Sequence, residues 1–389
     1  MKPLLLSFCL LILTVTAFAQ QPEHIYGFAI EKKPIDWYKQ QLSLWKAELD
    51  KNPGNSYAWY NYYRGNRNIL RLDTTDKRPH HIKGKVLIDI LDEMEKAVPQ
   101  SFEYNLCKWM NGGNDFEHYL PYLKKAIQLG PDRMELISDR IILAEMERDI
   151  AQRDIYSMKW YESPMSSPGL LYYNHNVLTG LKPNAILLTQ GDNDTYPVWI
   201  LQSLGIRKDV TVINTSLLNI DTYREKLFKE LGIAKWPVVS PNAMKDTTAA
   251  SNKKYHNELV KHLSANSKKY PVYLALTCDE KLSKPIADQL YLTGLAYEFS
   301  TSTIDNIALL KKNFEKVYAL DYLDKPFYHD ISAYWSRHCN NNYIVPMIKL
   351  YDHYKASGDE MHMEWMRKKI LNIVKGTPEE QTTLTYLNN

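Results

Sequence analysis

Two apolar runs of strand length, Ala185-Ile186-Leu187-Leu188-Thr189 and Val210-Thr211-Val212-Ile213-Asn214-Thr215, flank an acidic turn and an amphipathic segment. Their apolar residues are consecutive or nearly so, as in a strand covered on both faces. Strand, turn, helix, strand is the opening of a parallel α/β unit. Residues 271–277 (PVYLALT) continue it, and residues 290–299 hold a fourth, shorter strand ending in Tyr297-Glu298-Phe299. Helical patterns over 220–231 and 255–268 separate these strands. Residues 235–254, with Pro237 and Pro241, read as a surface loop. The fold class expected is α/β, with a mainly parallel, three- to four-stranded Rossmann-like sheet and helical-repeat flanks.

On either side of the sheet the apolar period lengthens to that of a helix. Tyr38, Leu42, Trp45 and Leu49 form one stripe, Asn52-Pro53-Gly54-Asn55 breaks it, and Tyr57, Ala58, Trp59 and Tyr60 start again. This has the form of a tetratricopeptide-type hairpin. A second such unit has Tyr119, Tyr122, Leu123, Ala126 and Ile127, then Leu129-Gly130-Pro131-Asp132, then a helix from Met134. Pro53 and Pro131 are 78 residues apart, so any repeat is degenerate. The division expected is an export segment at 1–19, helices over 20–157, a joint over 158–183, the α/β domain over 184–318, a helical hairpin over 319–376 with a Ser357-Gly358-Asp359 stop, and a polar tail over 377–389.

The amino terminus adds a cellular address. Lys2, an apolar core from Leu4 to Val15 and Ala17-Phe18-Ala19 make a secretory signal, which places the chain in the periplasm or outside the cell. That core is too short to span a bilayer, and charges interrupt every other apolar run. A formal net charge of +3 gives no footing for nucleic acid. Three cysteines outlast processing, Cys107, Cys278 and Cys339, an odd number that excludes a disulfide framework.

The candidate chemistry gathers where strands end. In open α/β sheets ligands settle at the carboxyl ends of strands. Those ends carry Gly191, Asp192, Asn193, Asp194 and Thr195, then Asn214, Ser216 and Asn219, then Thr277. Gly191 would allow close approach of a ligand or a positive φ. Asp192 and Asp194 would suit a hard cation such as Mg²⁺ or Ca²⁺, or would bind sugar hydroxyls. A structural reading stands beside these. Asp194 or Thr195 would cap the following helix with Pro197 in its first turn, and Asp192 and Asn193 would close an Asx-turn. Asp209 and Asp221 are further acids, less well placed. His80-His81 in a basic loop and the His338-Cys339 pair have no ligand spacing.

The runs NAILLTQGDNDTYPVWILQ and RKDVTVINTSLLNIDTY, with the PVYLALT strand and Leu292-Thr293-Gly294-Leu295-Ala296-Tyr297, resemble the soluble carboxyl-terminal region of a family of polytopic bacterial membrane proteins related to protein O-mannosyltransferases. The resemblance covers about residues 184–374. The family's membrane-embedded half, where glycosyl transfer would occur, has no counterpart in this sequence, so transferase activity is not implied. Together with the export signal, the resemblance implies an envelope role. The chain would be a non-enzymatic scaffold that binds an envelope protein or glycan. The alternative is an enzyme acting on an envelope glycan or phosphorylated substrate through Asp192 and Asp194.

Overall fold

Among the described residues five short strands carry the architecture: β1 (Ile186–Thr189), β2 (Thr211–Asn214), β3 (Val272–Ala275), β4 (Leu290–Leu292) and β5 (Ala296–Phe299). Their order across the sheet is β2-β1-β3-β5-β4. β1 runs parallel to both neighbours, with Thr189 beside Asn214 and Ile186 beside Val272. β3 and β5, and β5 and β4, are antiparallel. The sheet is therefore mixed, with only its first three strands in the parallel arrangement expected.

The expected fourth strand is two strands joined by Thr293-Gly294-Leu295. A side chain at 294 would run into the Tyr318 hydroxyl, which instead accepts the Leu295 amide at 3.1 Å. Glycine at that point lets the chain reverse against Tyr318. All four residues of β1 and of β3 are buried, which explains their uninterrupted apolar sequence.

This computed structural model describes residues 21–113, 115–241 and 248–388. The expected export segment lies outside them, as does the tip of the expected loop at 242–247. The described chain forms two compact units, one of residues 21–25 and 33–107, the other of residues 26–32 and 108–388.

In the first unit the helices Ile35–Lys51 and Ser56–Leu72 pack as a hairpin. Asn55 caps the second through the Ala58 amide at 3.1 Å, and the Trp59 indole donates to the Pro53 carbonyl. The fully buried stripe is Tyr38, Gln41, Trp45 and Leu49, with Gln41 in place of the apolar Leu42. Gln41 is inside because residues 23–25 lie along the hairpin and need partners. Gln41 accepts the Glu23 amide at 2.7 Å, Asn61 accepts the Ile25 amide at 2.8 Å, and Trp45 donates to the Glu23 carbonyl. A third helix, His80–Ala97, begins where a loop was expected; the side chains of His80 and His81 lie outside what is described.

In the second unit the segment expected as a joint contains the helix Pro168–Thr179, which buries Leu170, Tyr173, Val177 and Leu178. Its Ser167 N-cap and N1 proline make it a helix despite the aromatic, proline-bearing sequence. The hairpin of Ile344–Ser357 and Glu360–Val374 turns on Gly358, at φ +74, the left-handed cap a glycine supplies. The polar end folds as the helix Glu380–Asn388, held by buried Thr383 and Leu387 at helical spacing and by the Tyr351 hydroxyl on the Leu387 carbonyl. No helix among the described residues is long and apolar enough to cross a membrane.

Candidate functional site

β1 delivers the chain into the turn at Gly191. The Asp194 carboxylate then folds back on that turn. Its Oδ1 accepts the Gly191 amide at 2.7 Å and its Oδ2 the Gln190 amide at 3.1 Å. Oδ2 also accepts the Thr277 hydroxyl, from the loop after β3, at 2.5 Å. Asp194 is 4 % exposed. Burial pushes its carboxyl above the ordinary range, although the Thr277 hydroxyl and the two amides favour the charged form.

Thr195 ties in the second strand. Its hydroxyl lies 2.7 Å from the Thr189 hydroxyl and accepts Asn214 Nδ2 at 3.0 Å. Asn214 Oδ1 in turn accepts the Ser216 amide, and the Ser216 hydroxyl reaches the Gln190 carbonyl at 3.5 Å. Gln190 spans to the third strand, accepting the Asp279 amide at 2.6 Å. Asn193 is held through its carbonyl by Asn174 from the helix Pro168–Thr179. The ends of β1, β2 and β3 are thus joined by side chains.

Most of the expected residues meet here: Gly191, Asn193, Asp194, Thr195, Asn214, Ser216 and Thr277. Asn219 donates its backbone amide to the Ser216 carbonyl at 3.3 Å, but its side chain turns away from the group and pairs with the His256 ring at 3.1 Å. Asp192 is exposed, and its backbone carbonyl takes the Thr195 and Tyr196 amides. The helix Tyr196–Ser203 is therefore started by a backbone acceptor, with no side-chain cap from Thr195, and Pro197 sits in its first turn as expected. Gly191 is not among the residues at positive φ; its amide, not its freedom, is what the turn uses. Among the described residues no group of three or more His, Cys, Asp and Glu is placed to hold a metal.

The same acid shapes its surroundings. Burial first, then the nearby Asp194 charge, raises the Cys278 thiol well above its ordinary value and also raises that of Cys339. The other acids lie elsewhere. Asp209 precedes β2, so it sits at the amino end of the strands, where it accepts the Asn184 amide and pairs with Arg207 at 2.8 Å. Asp221 opens the helix Asp221–Leu231 and pairs with Arg224. Gln190 and Asn174 carry no signal in the sequence; Gln190 adjoins the acidic turn, but only the fold brings Asn174 to it.

Residues 172–235 match the TMEM260-associated domain 2. That span contains β1, the Asp194 turn and β2, and it links the chain to a TMEM260-like family related to protein O-mannosyltransferases. No curated protein matches the chain. The matched TMEM260-associated domain 2 segment ends before β3, so Thr277, the partner of Asp194, lies outside it.

Proposed function

We propose that the chain is an exported cell-envelope protein that binds a partner protein or glycan through its helical hairpins, read as tetratricopeptide-like, with the sheet as a rigid body. The observation that carries this is the state of Asp194. Both of its oxygens are engaged by donors of the protein itself, which supports a role in holding strand ends together. The export pattern in residues 1–19 supports the envelope assignment.

One observation favours an enzyme acting on an envelope glycan or phosphorylated substrate. A buried carboxyl raised above its ordinary range, beside an exposed Asp192, is what a general acid requires. Substitution separates the two readings. Under the binding reading, Asp194→Ala lowers the midpoint of unfolding by more than Asp192→Ala does. Purification from an envelope fraction then retains a protein or glycan with wild type and Asp192→Ala alike. A chain that retains neither sinks the binding reading. Turnover of an envelope glycan lost in Asp192→Ala, with stability intact, establishes the enzyme.

A further inference from the structure

A concavity lies between residues 322–330, the helix Ala333–Asn340 and the end of the helix Glu360–Val374. It encloses about 300 Å³, at the small end of the range for small-molecule sites, roughly 300–1,000 Å³. Its polar lining is one-sided. The acids there are already satisfied. Asp330 accepts the Ser167 hydroxyl at 2.6 Å and the Ser332 amide at 2.9 Å on one oxygen, and the Ser336 hydroxyl at 2.8 Å and the Gly169 amide at 3.1 Å on the other. A Cβ at 169 would come within 2.5 Å of that carboxylate, so the floor is built around a glycine. Next to the cleft, Asp324 is held by Lys369 at 2.9 Å and by Asn372, a lining residue, at 3.0 Å.

The donors have no acceptor within the described protein. Among the described residues no carboxylate or carbonyl pairs with the side chain of Arg337 or Lys375, both of which line the cleft. Asn340 spends its carbonyl on the Tyr322 hydroxyl at 2.7 Å, which fixes the amide and leaves its Nδ2 protons unused. Beside these donors lies an aromatic wall. Tyr322 and Phe327 stack at 24° with centroids 6.2 Å apart, and Tyr172 lies 5.4 Å from Phe327. A guanidinium, an ammonium and a carboxamide donor next to ring surface fit a ligand with an anionic group and an apolar face.

We propose that this cleft binds an anionic sugar, a hexose bearing a carboxylate or a phosphate. Arg337 and Lys375 take the anionic group, Asn340 donates to a hydroxyl, and Phe327 lies against the C–H face of the ring. The site is separate from the Asp194 turn and holds whether the partner of the helical hairpins is a protein or a glycan.

Titration of the full chain with glucuronate, glucose 6-phosphate, glucose and inorganic phosphate, read by saturation-transfer NMR and calorimetry, tests it. Saturable binding of at least one acidic sugar is expected, and the one preferred identifies the anionic group. Glucose and inorganic phosphate should each bind at least roughly tenfold more weakly, because each lacks half of the recognition. Arg337→Gln should weaken the acidic sugar by at least roughly tenfold, and Phe327→Ala should weaken the sugar but not inorganic phosphate. Arg337 is exposed, so its variant folds; Lys375→Gln provides a second, equally exposed reading. The proposal is overturned if neither acidic sugar saturates, if phosphate alone binds as tightly, or if both cation variants bind like wild type.

Discussion

The Thr277 hydroxyl donates to Asp194 Oδ2 across 2.5 Å, joining the loop after β3 to the loop after β1. The order β2-β1-β3 puts the change of winding direction between β1 and β3, the place where open α/β sheets admit ligands. Here a side chain of the protein spans that place. Asp194→Ala removes the acceptor of two backbone amides and of the Thr277 and Thr195 hydroxyls in a partly buried turn. Buried unsatisfied donors cost about 1–3 kcal/mol each, so a loss of about 3 kcal/mol is expected in urea unfolding. Thr277→Val should cost about 1 kcal/mol, and the double variant less than the sum, because both changes remove one shared bond. Strict additivity would show that the bond contributes nothing.

The protonation of Asp194 sets a sign for stability against pH. Burial raises its carboxyl above the unfolded value of about 3.9. The folded state therefore holds this proton more tightly than the unfolded chain. The stabilisation is complete below the unfolded value and is lost as pH rises through the folded one. Asp194→Asn cannot titrate. The stability of wild type minus that of Asp194→Asn should decline as pH is raised from about 4 toward neutrality. A difference that grows over the same window would place the folded pKa below the unfolded one.

The strands β1, β2 and β3 were legible because burial on both faces writes itself as an unbroken apolar run. So was the gathering of polar residues at their ends, since parallel strands point their carboxyl ends the same way. The conformation of Asp194 was not legible. Gly-Asp-Asn-Asp-Thr serves equally as a ligand turn or as a self-bonded one, and only the distance to Thr277, 83 residues on, separates them. The β4–β5 hairpin was hidden because Thr293-Gly294-Leu295 lacks an Asn-Gly signature and its reversal depends on Tyr318. The helix Pro168–Thr179 was hidden because proline and aromatic residues, read locally, suggest a linker, whereas its face is decided by the core it fills.

Among the described residues the thiols of Cys107, Cys278 and Cys339 are free, with Cys107 and Cys339 buried and Cys278 half-buried. Burial raises all three thiols above their ordinary value, so little thiolate exists near neutral pH. Iodoacetamide at pH 7.5 should label Cys278 first and slowly. Cys107 and Cys339 should react only as denaturant opens the protein, in step with the loss of circular dichroism. Rapid labelling of Cys339 in the native protein, followed by mass spectrometry, would contradict its burial.

Arg207 sits at φ +49 and donates to the carbonyls of Leu178, Leu181 and Lys182 while gripping Asp209. It thus closes the end of one helix over the entry to β1 and β2. Its hydrogen bond, helped by the Asn184 amide, lowers the Asp209 carboxyl to about 2 against the opposing effect of burial. A lowered folded value contributes stability above the unfolded value of about 3.9, lost as pH falls through about 2. Arg207→Ala should cost on the order of 1–2 kcal/mol, reduced from the buried case by solvent around the pair. It should also flatten the loss of stability between about pH 4 and pH 2. An unchanged acid limb in the variant would remove Asp209 from the account.

Glu145 is fully buried, and three side chains converge on it. Arg153 donates to Oε2 at 2.7 Å, while Oε1 accepts the Tyr223 hydroxyl at 2.8 Å and a bond from Arg148. Arg148 continues to Glu230 at 2.9 Å. The network fastens the helices Ile137–Glu147 and Ile150–Tyr161 to Asp221–Leu231, beside the edge strand β2. Removing one partner of such a group leaves buried charge uncompensated, which costs about 3–5 kcal/mol. Glu145→Ala leaves the buried Arg153 guanidinium only its longer contacts to Asp154 and Gln202, each at 3.5 Å, and should lose about 3 kcal/mol, the low end of that range, with a visible fall in the thermal midpoint. Glu145→Gln keeps an acceptor for Tyr223 but not the charge for Arg153, and should lose less. Replacing Glu145, Arg153 and Tyr223 together by Leu, Met and Phe removes the unpaired groups as well as the bonds. That triple variant should recover much of the stability lost in Glu145→Ala. If it is no more stable than Glu145→Ala, the single variant's cost comes from the cavity left by the side chain and not from stranded charge.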